Sequence, residues 1–303
     1  MKDFYGGKRT DLALEARELR RLGEDSAAEI PGVEAQERVL QGYAVTTVRV
    51  LDERGKEELC KPIGSYITME LDALVRREQD AFSRAVQVLS GQIASLLALS
   101  GDESLLVVGL GNPAITPDAI GPQTLDYVLV TRHLRQHAPE SFRNFRAVST
   151  LKAGVLGTTG VESAEMVAAL VRKLCPDRVI AVDALASCRL ARLCKTVQLT
   201  DTGIVPGSGV GNHRSPLTID SLGVPVLAVG VPTVVDAASL ATELAENAGM
   251  TPPDRERLGE LGAMVVTPRD IDRSVHDASR LVGYAIDLAV HRGLTVEDVD
   301  LFL

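Results

Sequence analysis

Two hydrophobic periods alternate along this chain. Short unbroken apolar runs at Leu105 to Val108, Val179 to Val182 and Val224 to Val229 read as strands buried on both faces. Around them apolar residues recur at helical spacing. Phe82, Val86, Leu89, Ile93 and Leu97 predict a long helix over Glu78 to Leu99. Further helices are expected over Asp118 to Leu134, Ser163 to Leu174, Val234 to Asn247 and Asp270 to His291. Shorter strands are expected at Ala147 to Thr150 and Met264 to Val266, with Thr196 to Leu199 at a sheet edge. Near the start, Thr10 caps a short helix that runs to Arg21 with Asp11 in its first turn. Gly42 to Leu51 is β-rich, and Ser65 to Glu70 pairs with it. Strands alternating with helices predict an α/β fold: a mostly parallel sheet with helices on both faces. Residues 101–303 form its main domain. Residues 12–100 form an N-terminal α/β extension within the same compact unit.

Composition narrows the function. The chain has 303 residues, a net charge of −9 and 45% hydrophobic residues. That apolar content excludes global disorder. The acidic balance argues against nucleic-acid binding by phosphate neutralisation. Aromatic residues are 3% of the chain, so the core rests on Val, Leu, Ile and Ala. No signal-peptide core is visible near the start, and no apolar run approaches the ~20 residues that span a bilayer. Cys60, Cys175, Cys188 and Cys194 fit no zinc-site spacing and read as free thiols in a reducing, cytoplasmic setting. No metal and no cofactor is expected.

In an open α/β sheet, ligands bind beyond the carboxyl ends of the strands. Gly109 to Ala114 there matches GxGxxA, but Pro113 and Pro117 delay the following helix. The position for a ribose-binding acid reads Leu129-Val130-Thr131-Arg132, so dinucleotide binding is set aside. Asp118, past one apolar strand, and Asp183, ending another, form the sharper pair. On neighbouring strands they would share one crevice and one proton. The ionised carboxylate then deprotonates a water while the protonated one hydrogen-bonds a substrate carbonyl. A helix start favours charge on Asp118 and so its choice as base. The bland alternatives are a helix cap for Asp118 and a buried acid satisfied by loop amides for Asp183. His133 and His137 stand one helical turn apart without an intervening Glu and read as a solvated helix end. Ser163 and Ser208 make no GxSxG elbow and read as loop residues. The Gly207-to-Gly211 loop either presents backbone amides to a peptide or is a tight turn.

These blocks, in order, resemble the germination protease family of spore-forming bacteria. The likeness is carried by Arg9-Thr10-Asp11-Leu12-Ala13-Leu14-Glu15-Ala16, by Val108-Gly109-Leu110-Gly111-Asn112 with Thr116 to Pro122, and by Val130 to Leu134. It continues through Gly154 to Glu162, Ile180 to Ala186, Asp201 to Ile204 with Pro206 to Asn212, Gly230 to Ala237, and Val266 to Pro268. The resemblance implies a phosphorylase- or hydrolase-like layout and an atypical aspartic endopeptidase whose catalytic residues fall on Asp118 and Asp183. It implies substrates among the small acid-soluble spore proteins, cut after an acidic residue in a Thr-Glu-(Phe/Ile)-Ala-like motif. It further implies a homotetrameric zymogen of the forespore or spore core, with no direct nucleic-acid or membrane partner. Thr10-Asp11-Leu12-Ala13 looks like that motif, so residues 1–11 are expected to be a propeptide removed between Asp11 and Leu12. Gly111, Asn112, Gly157, Thr158, Thr159, Gly207, Ser208 and Gly209 are candidates for substrate-binding or oxyanion loops.

Two departures stand out. Many family members carry a long insertion where this chain has only residues 238–265, and Pro113 follows Gly-Asn where relatives differ. The shorter segment bears on substrate-channel walls and oligomer contacts. Two other readings compete: a hydrogenase-maturation type of protease with metal-assisted recognition, and an inactive sporulation scaffold. A peptidyl-tRNA hydrolase, suggested by Gly109 to Pro113, is excluded by the position of that motif and by the acidic charge.

Overall fold

The computed structural model describes residues 8–22, 29–208, 214–262 and 264–303. Its strands are β1 (Val33–Leu40), β2 (Tyr43–Val50), β3 (Gly64–Glu70), β4 (Leu105–Leu110), β5 (Val148–Gly154), β6 (Arg178–Ala186), β7 (Thr196–Thr200), β8 (Val226–Asp236) and β9 (Val265–Val266). They make one sheet in the order β1-β2-β3-β7-β8-β6-β4-β5, with β9 on the far end of β8. The class is α/β as expected, but the sheet is parallel in one half only. β5, β4, β6 and β8 run parallel. The strands of the extension pair antiparallel and join the rest through β3–β7 and β7–β8. The strand expected at an edge, β7, is therefore interior, and all five of its residues are buried.

Strand alternation sorts the core into two layers. Leu105 and Val107 of β4, Ile180 and Val182 of β6, and Leu227, Val229 and Val231 of β8 face one side. There they meet the Ala81–Leu97 and Ile271–Val290 helices through residues such as Leu89, Ile93, Leu281 and Val282. Leu106, Val108, Val179, Ala181 and Val226 face the other side and meet Val167 and Val171 of the Ser163–Leu174 helix. Beneath the antiparallel half, on this second face, the Ala13–Leu22 helix packs Ala13 against Val48, Val50, Leu59 and Tyr66.

Several expectations are corrected. The helix predicted over 118–134 is broken into turns at Thr116–Asp118 and Leu125–Tyr127 and short helices at Ile120–Thr124 and Arg132–His137. Pro117 and Pro122 punctuate it, and the Asp287 carboxylate takes the Leu129 N–H at 3.0 Å, away from any helical carbonyl. β6 and β8 run on past the apolar runs that signalled them, so Val234 and Val235 are strand, and the helix begins at Ala237, capped by Asp236. Several elements lie outside the expected set, β1 and the terminal helix among them. β1 is polar and exposed along most of its length, so it shows no buried face. The terminal Val296–Phe302 helix is capped by Thr295. The four cysteines are free thiols; Cys188 and Cys194 are buried, Cys60 and Cys175 exposed. Among the described residues no helix is long and apolar enough to cross a membrane.

The glycines that flank the first parallel strand serve packing. A methyl on Gly121 would collide with the backbone N and O of Leu110 and the carbonyl of Val182. Gly121→Ala is therefore expected to destabilise the fold by about 3 kcal/mol, the upper end of ordinary overpacking. Gly157→Ala, where a methyl meets nothing within 4 Å, is expected to be neutral or stabilising by up to ~1 kcal/mol. Thermal unfolding of the two variants side by side checks the contrast.

Candidate active site

Asp183 does not end its strand. β6 continues to Ala186 beside β8, whereas β4 stops at Leu110, one residue past the partner of Val182. This step in the sheet leaves Asp183 on the second face without a β4 neighbour. Register then sets its company. Asp183 pairs with Gly230, and Gly230 pairs with Gln198 across β7. Residues directly opposite share a face. Asp183 and Gln198 thus look onto the same floor, about 10 Å apart at two strand spacings, with no side chain on the glycine between them.

Asp118 reaches this floor from the loop that folds back after β4. Gly111 makes the turn at φ +109, where a Cβ would strike the Asp118 carbonyl. The Asn112 N–H donates to Asp118 Oδ2 at 2.7 Å. Thr233 Oγ1 donates to the Pro117 carbonyl at 2.7 Å and ties the loop to β8. Asp118 and Asp183 line a common cavity of about 580 Å3, together with Gly111, Asp11, Lys61, Gln198, Ser208 and Arg214.

The two carboxyl groups differ in their surroundings. Asp183 is 5% exposed and accepts one hydrogen bond, from the Ala184 N–H at 2.9 Å. Burial first, and then the charge of Asp118, push its pKa well above the usual aspartate range. Asp118 is half-buried, and burial raises its pKa too, but the Asn112 amide and the nearby Arg214 guanidinium oppose the rise. Asp118 is the better placed of the two to carry charge, and Asp183 to keep a proton.

The N-terminal segment enters the same cavity. The Asp11 N–H donates to the Ala186 carbonyl at 3.0 Å, and the Ala186 N–H returns a bond to Asp11 Oδ2 at 2.8 Å. Ser208 Oγ donates to Asp11 Oδ1 at 2.8 Å. Leu12 is fully buried. Its N–H donates to Thr10 Oγ1 at 2.9 Å, and the Ala13 N–H donates to Gln198 Oε1 at 2.7 Å. Glu15, also fully buried, anchors the whole turn. It accepts from Thr10 Oγ1, Ser187 Oγ and the Cys188 N–H at 2.5, 2.6 and 2.8 Å.

The remaining candidates divide. Gly111, Gly207 and Ser208 line the cavity. Asn112 acts through its amide on Asp118. Gly157, Thr158 and Thr159 lie in the Leu156–Thr159 turn, away from the cavity lining, and both threonine hydroxyls bond to the Val155 carbonyl. Gly209 lies outside the described residues. His137 Nδ1 bonds to the His133 carbonyl at 2.8 Å, as befits a helix end. Among the described residues no group of three or more His, Cys, Asp or Glu side chains is placed to hold a metal ion. Sequence reasoning missed Lys61, Gln198, Glu15 and Arg214. Only the folded pairing of β3 with β7 brings Lys61 and Gln198 to the same peptide.

Known proteins resemble this chain over nearly its whole length. A family model described as germination protease matches residues 11–247. The chain is 43% identical to the germination protease of Caldanaerobacter subterraneus subsp. tengcongensis, over 98% of each chain. It is 37% identical to that of Clostridium tetani, over 97% of this chain and 99% of the other. Among solved structures, the NiFe hydrogenase maturation protease HycI from Thermococcus kodakarensis aligns at 16% identity and a TM-score of 0.36, covering 64% of this chain and 98% of its own. With a family match over most of its length and relatives that align end to end, the chain belongs to the germination protease family.

Proposed function

We propose that this protein is a self-processing endopeptidase in which Asp118 and Asp183 act together on a peptide bond. Asp118, ionised, takes a proton from water, and the water oxygen attacks the carbonyl carbon. Asp183, protonated, supplies a proton to the substrate. The observation that carries this reading is the position of the Asp11–Leu12 peptide. Asp11 lines the cavity that holds the carboxyl pair, and its acidic side chain is gripped by the Ala186 N–H and Ser208 Oγ. That grip gives an acidic residue before the cut a physical reason: a carboxylate there gains a charge-assisted bond at each oxygen. The same pocket would receive an acidic residue of a small acid-soluble spore protein during germination, with the protein acting in the spore core as a homotetramer. Family membership favours this reading over a metal-assisted maturation protease or an inactive scaffold.

Self-cleavage is followed by mass spectrometry of the full chain after mild acidification. The expected product begins at Leu12, eleven residues shorter. Asp118→Asn and Asp183→Asn chains stay full length at every pH tried. An active protein that retains its N-terminus overturns the propeptide reading. Incubation with a purified small acid-soluble spore protein should give fragments that end in an acidic residue.

The pH dependence follows from the two directions of shift. As pH falls through the pKa of Asp118 the base is neutralised and the rate drops. As pH rises through that of Asp183 the acid is lost and the rate drops again. Both groups are shifted upward. Both limbs of the profile should therefore lie above the pH of about 4 at which an ordinary aspartate titrates.

Ser208→Ala removes one donor to the Asp11 carboxylate. A hydrogen bond to a charged group contributes about 1.5–3 kcal/mol. Self-cleavage should slow roughly 10- to 100-fold, read as the rate at which the shortened chain appears.

A further inference from the structure

The carbonyl oxygen of Asp11 is already held by two side chains that the carboxyl-pair reading does not use. Lys61 Nζ donates to it at 2.9 Å and Gln198 Nε2 at 3.2 Å. A carbonyl oxygen has two lone pairs, so its acceptor sites are filled. Lys61 also reaches the Thr10 carbonyl at 3.3 Å, and among the described residues it makes no ion pair. Burial lowers its pKa, while the charges of Asp11, Glu15 and Cys60 oppose the shift. Gln198 is 5% exposed and cannot turn freely, because its Oε1 is engaged by the Ala13 N–H.

We propose that Lys61 and Gln198 form the oxyanion site for cleavage of the Asp11–Leu12 bond, an assignment that rests on the reading of that bond as the scissile one. The neutral carbonyl of the ground state gains little from a desolvated ammonium. The oxygen that becomes negative as water adds places a full counter-charge at hydrogen-bond distance from Lys61, where the neutral carbonyl stands at 2.9 Å. The interaction is therefore stronger in the transition state than before it, which is the condition for catalysis. The assignment also redirects the proton of Asp183. With both carbonyl lone pairs occupied, that proton goes to the leaving nitrogen. The balance is then complete. The water oxygen bonds to the Asp11 carbonyl carbon, and one water proton passes to Asp118. The bond from that carbon to the Leu12 nitrogen breaks, and Asp183 protonates the nitrogen. The products are the Asp11 carboxyl group and the Leu12 amino group.

A lysine that merely anchors the segment would also bond to carbonyls, so the test separates chemistry from docking. Full-length chains bearing Lys61→Met, Lys61→Arg or Gln198→Glu are followed by mass for appearance of the Leu12 form. Amide hydrogen exchange at Leu12 and Ala13 is measured on each chain before it cleaves. Loss of one oxyanion donor typically slows an enzyme by about 10²–10³-fold. Lys61→Met should slow cleavage on that order, with exchange at both amides unchanged. Lys61→Arg should recover at least ~10-fold of the loss, because it keeps a charged donor. Gln198→Glu keeps the acceptor for Ala13 but removes the amide donor, and should slow cleavage at least ~10-fold. Cleavage of Lys61→Met at the wild-type rate overturns the assignment. So does slowing matched by faster exchange at Leu12 and Ala13, the signature of an anchor. If Lys61→Met does not fold, Gln198→Glu decides by the same criteria. A wild-type chain that is never cut at Asp11–Leu12 overturns the underlying reading and the assignment with it. Normal wild-type cutting with unaffected Lys61 and Gln198 variants overturns the assignment alone.

Discussion

Two carboxyl groups brought together in a poorly solvated cleft cannot both ionise cheaply, and the arrangement around Asp118 and Asp183 turns on that constraint. Asp183 is forced under cover because β6 and β8 run on past the end of β4. The loop after β4 must then fold back tightly to bring Asp118 over the step. Gly111 permits the turn, and the Asn112 amide meets the arriving carboxylate. Arg214 adds a positive charge on the side of Asp118. The asymmetry of the pair is thus a property of backbone geometry. One acid is buried on a strand with a single amide for company, and the other sits on a loop with an amide and a guanidinium.

A second buried carboxylate determines what the pair is presented with. Glu15 would be costly inside the protein without partners, and it is fully provided with them by Thr10, Ser187, the Cys188 amide and Arg192 at 3.5 Å. Arg192 in turn holds Glu18 with two bonds, at 2.8 and 2.6 Å. This network fixes the first turn of the Ala13–Leu22 helix against the loop after β6. Residues 10–12 can then follow only one course across the sheet, over Gln198. The docking of the N-terminal segment and the shape of the cavity are therefore one structural problem with one solution.

The legibility of each feature in the sequence depends on how local its signal is. The parallel strands and the long helices declare themselves because their burial is written in consecutive residues. Asp118 and Asp183 stand just beyond apolar runs, a position that can be noticed without tertiary knowledge. That rule is only approximate, since it stops β6 at Val182 and β8 at Val229, where the structure carries both strands further. Gln198 is hidden for a different reason. It alternates with Val197 and Leu199 as any polar residue of a half-buried strand would, and taking β7 for an edge removes any reason to aim it at a site. Lys61 comes after Cys60, whose left-handed backbone (φ 46) ends the Glu53–Leu59 helix and turns the chain. Nothing in the order of residues says that this turn lies beside Asp11. Both depend on pairing between segments far apart in the chain, which hydrophobic periodicity does not encode.

That pairing also ties the two parts of the chain together. Read by pattern, residues 12–100 are an extension and the chemistry belongs to 101–303. In the fold, β3 pairs with β7, and the extension contributes Lys61 to the cavity lined by Asp118 and Asp183. The two sides of the Asp11–Leu12 bond are held by different means. Downstream, the chain is fixed by the buried Glu15 network and by the core packing of Leu12 and Ala13. Upstream, Lys8 pairs with Glu246, whose side chain is 42% exposed, and the Arg9 N–H reaches Ser239 Oγ at 3.3 Å. The Lys8 side chain is itself 4% exposed and reaches both Glu246 oxygens, at 2.9 and 2.7 Å. A cut at this bond would leave the downstream part locked in place. Among the described residues the upstream part is held by these bonds, by Thr10 Oγ1 on Glu15, by Lys61 on the Thr10 carbonyl and by the grip on Asp11. Because the Asp11 carboxylate itself fills the grip of the Ala186 N–H and Ser208 Oγ, departure of the upstream piece in the proposed processing would open the pocket that an acidic residue of a substrate would need.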